Sequence, residues 1–237
     1  MTPHVAASTD PIQYRADWLV HYESALDPED AALKRAEAER LEAALRERGR
    51  WGRIGGVLDV GTCTGRYPLL LREAVRPDGS IVGIDIDPAC VEFARGNVAR
   101  IAGSDARIVV VHADFTSPEL ALPQTPFDLV ICMMSTLSYF GRNRRAGFDD
   151  ALQRVLLRFA NLLAPEGLLF FSTWSREALD TGRLLSIYDE SDRWKLAAWT
   201  PDTDEMEQRL VAAGFAFRKR SCPDPRLDFW ACEKADG

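Results

Sequence analysis

The chain has 237 residues, 46% of them hydrophobic, enough for one large domain or a domain with a small cap. Its 29 basic and 36 acidic side chains leave a net charge of −7, which as a bulk property argues against affinity for phosphate backbones, so no nucleic-acid partner is expected. No apolar run approaches the roughly 20 residues that span a bilayer, no basic-then-apolar leader opens the chain, and none of the five cysteines forms a C-x-x-C pair; no membrane partner and no disulfide framework are expected, and the cytoplasm is the expected compartment.

Residues 1–12 carry two prolines and no periodicity, and read as an arm. Tyr14, Trp18 and Tyr22 then recur every four residues, placing three aromatics on one helical face. Asp27-Pro28 interrupts, and residues 29–48 read as a charged helix with a narrow apolar stripe at Leu33, Leu41 and Leu45. Residues 1–50 are thus an arm and a helical lid, and 51–237 the main domain.

Strands are predicted at 56–60, 80–86, 107–113, 127–134 and 166–173, as near-continuous apolar runs of the kind buried on both faces. Helices are predicted near 66–74, 88–101 and 145–164, the last with Leu152, Val155, Leu156, Phe159 and Leu163 at helical spacing and Pro165 as its terminator. A further helix runs from Pro201 to Gly214. Two last strands, Phe215 to Arg220 and Leu227 to Lys234, are close enough only for an antiparallel pair. The class is α/β: five βα units forming a doubly wound, mostly parallel sheet, closed by a C-terminal antiparallel hairpin. Residues 176–200 are the longest stretch between a strand and the next helix, and so the expected seat of selectivity.

The chemistry concentrates at the strand ends. Val57-Leu58-Asp59-Val60 runs into Gly61-Thr62-Cys63-Thr64-Gly65, and the next strand ends in Asp85-Ile86-Asp87. A glycine-bounded turn lets a ligand approach the backbone, and an acid one strand away can accept both hydroxyls of a ribose. A nucleoside-bearing cofactor is implied. The dinucleotide pattern G-x-G-x-x-G is not met, because Cys63 stands where its second glycine belongs and no third follows. Asp59 beside the turn would also repel a pyrophosphate, whereas a cofactor with a cationic centre and no phosphate suits it. Asp87 before Pro88 reads as a helix N-cap.

Asp59-x-Gly61-x-x-x-Gly65, Asp85, and His112-Ala113-Asp114-Phe115 together resemble class I S-adenosylmethionine-dependent methyltransferases, over roughly residues 52–235. The resemblance implies their Rossmann-like methyltransferase fold, with seven strands, and S-adenosylmethionine as cofactor, released as S-adenosylhomocysteine. It places the methionine part of the cofactor at Gly61, with Asp59, Thr62 and Gly65 around it. Asp85 would hold the ribose hydroxyls and Ile86 would pack beside the adenine. Asp114 would accept from the adenine amine, Phe115 would lie near the ring, and Met133 would approach from the substrate side. N-terminal tyrosines of related small-molecule enzymes reach cofactor or substrate, which implicates Tyr14 and Tyr22, with Trp18 beside them. Cys63 departs from the family, which most often has glycine there.

The segment Met133-Met134-Ser135-Thr136-Leu137-Ser138-Tyr139-Phe140 lacks the Asn/Asp-Pro-Pro-Tyr/Phe motif of enzymes that methylate nucleobase amines. It looks more like the loop of small-molecule methyltransferases acting on amino-acid-like or natural-product acceptors. Ser135, Thr136 and Ser138 are candidate acceptor contacts, with Trp174 bordering the pocket and Arg142 available to an anionic group. Tyr139 could orient the acceptor, and His21 is the histidine candidate for a general base in the lid. The three histidines are far apart, so no metal site is expected. A nicotinamide-dependent reductase, an aminopropyl transferase and a non-catalytic cofactor-binding module remain alternatives, and the state is expected to be a monomer or a homodimer.

Overall fold

Uninterrupted runs such as Leu129-Val130-Ile131-Cys132 offer apolar side chains to both faces of a pleated strand, and can be satisfied only by helices on both sides. That is the architecture found in a computed structural model, which describes residues 16–24, 28–103, 105–123, 125–140, 148–175, 178, 202–221 and 224–235. Helices α1 (Ala16–Ser24) and α2 (Pro28–Glu47) precede β1 (Ile54–Val60), α3 (Arg66–Leu71), β2 (Val75–Asp85), α4 (Pro88–Ala102), β3 (Ile108–His112) and β4 (Phe127–Cys132). A short 3-10 turn (Thr136–Tyr139), α5 (Phe148–Leu162), β5 (Leu163–Trp174), α6 (Thr203–Ala212), β6 (Phe215–Ser221) and β7 (Leu227–Lys234) follow.

The seven strands lie in the order β3-β2-β1-β4-β5-β7-β6. The first five pair in parallel, and β7 is antiparallel to both β5 and β6, as the short connection requires. Asp59 lies opposite Gly83 in β2 and Ile131 in β4, and Asp85 lies opposite His112 in β3. The carboxyl ends of β1, β2, β3 and β4 therefore share one edge, where the strand order reverses.

Alternate residues feed two cores. Val57, Ile81, Leu129 and Phe170 pack under α1 to α4 with Leu33, Leu41, Leu45, Leu71 and Val91. Leu58, Val82, Val130 and Phe171 pack under α5 and α6 with Leu152, Phe159, Met206 and Leu210. At about 1.5–3 kcal/mol for each large side chain buried, these two layers dominate the stability of the sheet.

Three elements differ from the sequence reading. Helix α5 stops at Leu162, and Pro165 lies inside the irregular entry to β5, where the register jumps from Phe127↔Leu163 to Leu129↔Leu168. Proline disfavours helical backbone at the residue before it, so the helix ends earlier than its terminator. Strand β2 starts at Val75 rather than 80, joined to β1 through a bulge between Ile54 and Gly56. Among the described residues, the connection from β3 to β4 carries no helix, so the third unit is a strand and loop rather than βα. No helix among the described residues is long and apolar enough to cross a membrane.

Candidate active site

The turn after β1 is built by backbone geometry that glycine makes possible. Gly61 sits at φ +76°, and its N–H and that of Thr62 both donate to the Ile84 carbonyl, at 2.9 Å each. A Cβ on Gly61 would come within 2.2 Å of Thr136 Cγ2, so the loop after β4 closes directly over the turn. Cys63, with φ +46°, carries a side chain in left-handed backbone that favours glycine. Its N–H donates to Asp85 Oδ2 at 2.9 Å, while Asp85 Oδ1 accepts the Asp87 N–H at 2.9 Å. Asp87 caps α4 through the Ala89 N–H at 2.8 Å, as its place before Pro88 predicts.

Asp59 is the electrostatic anomaly of this edge. It is 1% exposed at the end of β1, and its Oδ2 and the Thr62 Oγ1 have no hydrogen-bond partner. Burial is the chief cause that pushes its carboxyl up to about 7; the neighbouring Thr62 hydroxyl opposes the rise, and the Asp85 and Glu37 carboxylates add to it. The left-handed turn with no Cβ at Gly61, the unpaired acceptor of Asp59 and the carboxylate of Asp85 one strand away fit a cofactor with a cation at one end and a ribose at the other.

Helix α1 completes the cleft. Trp18 and Tyr22 stack with ring centroids 4.9 Å apart, and together with Thr62, Met133 and Thr136 they line a cleft over Gly61. Lys34 Nζ lies 3.5 Å from the Tyr22 ring centroid and donates to the Tyr22 carbonyl; burial lowers its pKa to about 8. Glu37 is fully buried, accepting from the Tyr67 hydroxyl and, at 2.9 Å, from the Met134 N–H. Burial pushes Glu37 up, and hydrogen bonds from Ser172, Tyr67 and Met134 oppose it. Arg66, at the start of α3, pairs with Glu23 of α1 at 3.3 Å.

Sequence reasoning missed this second ring of Lys34, Glu37, Arg66 and Tyr67. The signal was present: Glu37 occupies the missing member of the four-residue spacing Leu33, Leu41, Leu45, on a stripe that is otherwise apolar. Arg66 and Tyr67 follow the glycine turn directly.

Of the predicted site residues, Trp18, Tyr22, Gly61, Thr62, Met133 and Thr136 converge on one cleft. Asp85 joins it through Cys63, and Ile86, 43% exposed, and Asp114, also exposed, stand at the adjoining strand ends. Asp114 Oδ1 is occupied by the Thr116 N–H and hydroxyl at 2.7 Å each. Gly65, at φ +77°, closes the turn by donating to the Thr62 carbonyl at 2.9 Å.

Others are placed differently. Phe115 turns into the far core against Phe140 and Phe159, on the opposite face from the cleft, because its apolar ring is better buried there. Ser135 is fully buried: its N–H donates to Ser172 Oγ at 3.0 Å, and its hydroxyl meets Ser138 Oγ at 2.7 Å and accepts the Trp174 N–H at 3.1 Å. Ser135 and Ser138 therefore hold the loop after β4 rather than face an acceptor. Trp174 is 1% exposed and packs in the core under the lid, so it does not border the pocket. His21 is exposed on α1 and does not line the cleft. Tyr14, Arg142, the side chain of Tyr139 and most of 176–200 lie outside the described residues.

Residues 57–167 match the family model of a methyltransferase domain. The chain is 35% identical over 131 residues, 50% of its length and 53% of the relative's, to tRNA1(Val) (adenine(37)-N6)-methyltransferase of Bacteroides thetaiotaomicron. It thus spans about half the length of the curated relatives it matches. Among solved structures it superposes on magnesium protoporphyrin IX methyltransferase from Synechocystis PCC 6803 with bound S-adenosylhomocysteine, at TM-score 0.64 and 16% identity over 89% of each chain. A second is an S-adenosylmethionine-dependent methyltransferase from Clostridium acetobutylicum, at TM-score 0.67 and 12% identity, covering 93% of this chain and 99% of that one. The tRNA-modifying relative overturns the exclusion of nucleic acid drawn from net charge. A bulk charge of −7 does not decide the partner of a site whose local charges are set by single residues.

Proposed function

We propose that the chain is a class I S-adenosylmethionine-dependent methyltransferase that transfers the methyl group to an N or O atom of a small acceptor, amino-acid-like or a natural-product intermediate. The observation that carries this reading is the loop after β4. It reads Met133-Met134-Ser135-Thr136, without the Asn/Asp-Pro-Pro-Tyr/Phe sequence of nucleobase-amine enzymes, and it lies beneath the aromatic lid of Trp18 and Tyr22. An acceptor that reaches Thr136 under that lid is small.

In this reading the cofactor supplies an electrophilic methyl on a sulfonium. Asp59 and Thr62 receive its cationic end, the backbone at Gly61 and Gly65 lets it approach, and Asp85 receives the ribose hydroxyls. Ile86 packs on the adenine, and Asp114 accepts from its amine with Oδ2, since Oδ1 already serves Thr116. Met133 and Thr136 face the acceptor, and Trp18 and Tyr22 exclude water. Positioning and desolvation provide most of the acceleration. The division into a lid over 1–50 and a cofactor-binding domain over 51–237, with selectivity in 176–200, belongs to the same proposal, as does a cytoplasmic setting, supported by thiols left unpaired at Cys63, Cys90, Cys132 and Cys232.

A second reading, methylation of a tRNA base, is favoured by the 35% identity to the Bacteroides enzyme. Radiolabelled methyl transfer separates the two. Incorporation into a low-molecular-weight metabolite fraction, and none into tRNA, supports the first. Label that follows tRNA and is lost on ribonuclease treatment overturns it. Calorimetric titration with S-adenosylmethionine, S-adenosylhomocysteine and NADH tests the cofactor; binding of NADH alone would refute the site as drawn.

A further inference from the structure

Cys63 is the one residue of the glycine turn that departs from the family pattern, and no step proposed above uses its side chain. It occupies left-handed backbone at φ +46°, where a Cβ is unfavourable. Its sulfur lies 3.8 Å from that of Cys90, in the first turn of α4. Cys90 is fully buried, whereas Cys63 is partly exposed and lines the cleft over the turn. One thiol is thus reachable by a small oxidant and the other is held against it. Asp85 ties the two segments together through their backbone: its Oδ2 accepts the Cys63 N–H and its Oδ1 accepts the N–H of Asp87, the N-cap of α4.

We propose that Cys63 and Cys90 form a redox-sensitive thiol pair whose disulfide shuts the cofactor site. A two-electron thiol oxidant, such as a peroxide or an azo compound, drives the step. The two S–H bonds break and one Sγ–Sγ bond forms. Both protons and both electrons pass to the oxidant, giving two waters from hydrogen peroxide or a hydrazine from an azo compound. Closing the sulfurs from 3.8 Å to about 2.0 Å draws Cys63 toward α4. That movement displaces its N–H from Asp85 and reshapes the turn on which the cofactor rests. Reduction restores it. The effect on affinity rests on the cofactor site proposed above; the pairing of the two sulfurs does not.

The test treats the full chain with the azo oxidant diamide, alkylates remaining thiols, and maps disulfides by mass spectrometry of the digest. The expected product is a Cys63–Cys90 cross-linked peptide, lighter by two hydrogens than its separate parts and absent from Cys90→Ser. Titration with S-adenosylmethionine is then run on reduced, oxidised and re-reduced protein. Affinity is expected to fall at least about tenfold on oxidation, to return on reduction, and to stay at the reduced level in oxidised Cys90→Ser. Recovery of Cys63 and Cys90 as alkylated thiols, or pairing of Cys63 with another cysteine, overturns the proposal. A mapped Cys63–Cys90 bond with unchanged affinity overturns the gating. Absence of cofactor binding by the reduced wild-type protein refutes the site reading instead, and leaves the mapping to decide the pair.

Discussion

Asp59→Asn isolates the buried carboxyl at the end of β1. The carboxyl titrates near 7 in the fold against an ordinary value of 3.8, chiefly because burial at the end of β1 disfavours its ionised form. The folded state therefore holds this proton more tightly than the unfolded one. The stabilisation is complete below 3.8 and is lost as pH rises through about 7. At about 1.4 kcal/mol per decade of proton affinity, the interval amounts to roughly 4 kcal/mol. Asparagine has nearly the same shape and no charge to desolvate. Urea denaturation without cofactor should thus show the variant gaining on wild type by roughly 2.7 kcal/mol between about pH 5 and about pH 8, the part of the interval that lies above pH 5; the cost of about 1 kcal/mol for its unmatched amide is the same at both pH values and lowers both differences alike. Asp85 and Glu37 are raised in the same direction, remain in both proteins, and largely cancel in the difference. Affinity for S-adenosylmethionine should behave inversely. Wild type should bind more tightly as pH rises and Asp59 ionises, and the variant weakly and without slope. A stability difference that is the same at both pH values would refute the argument.

Further expectations follow from single contacts. Asp85→Asn should weaken S-adenosylmethionine binding about tenfold or more by titration calorimetry, since an amide cannot accept at both the Cys63 and Asp87 N–H groups and a ribose. Gly61→Ala should cost roughly 1–3 kcal/mol in denaturant unfolding, and adding Thr136→Ser, which removes the colliding Cγ2, should recover part of the loss and leave the strain of φ +76°. Glu37→Ala should destabilise by roughly 2–5 kcal/mol, as it leaves the Tyr67 hydroxyl and the Met134 N–H buried without their acceptor; Glu37→Gln should cost less. Phe159→Ala, far from the cleft, should cost about 3–5 kcal/mol in thermal or urea unfolding, with S-adenosylmethionine affinity unchanged in the folded fraction.

The fold was legible wherever one periodicity persisted. Leu129 to Cys132 has no polar interruption and is a central strand; Leu152, Val155, Leu156 and Phe159 hold helical spacing and face the sheet. The turn after β1 and the acids at the strand ends were legible because backbone requirements leave residue signatures, such as glycine at φ +76°. The acceptor side was not. Ser135 looks available in sequence, but its hydroxyl is committed to Ser138 and Trp174, and the second of these lies 39 residues away along the chain. Phe115 follows Asp114 directly, yet which face its ring joins is settled by Phe140 and Phe159. The early start of β2 depends on pairing with Ile54 across a bulge, which no local pattern announces.

The carboxylate of Glu37 has a consequence for anyone who would recombine this protein. It leaves α2, outside the segment 57–167 that matches the methyltransferase-domain family model, and terminates on the amide of Met134 within the loop after β4. Helix and loop are therefore joined by a buried hydrogen bond. A chimaera that imports a foreign loop after β4 while keeping α2, or the reverse, would change one side of that buried contact and keep the other. Transplants that carry residues 28–47 and 133–140 together should keep a working cleft more often than those that divide them.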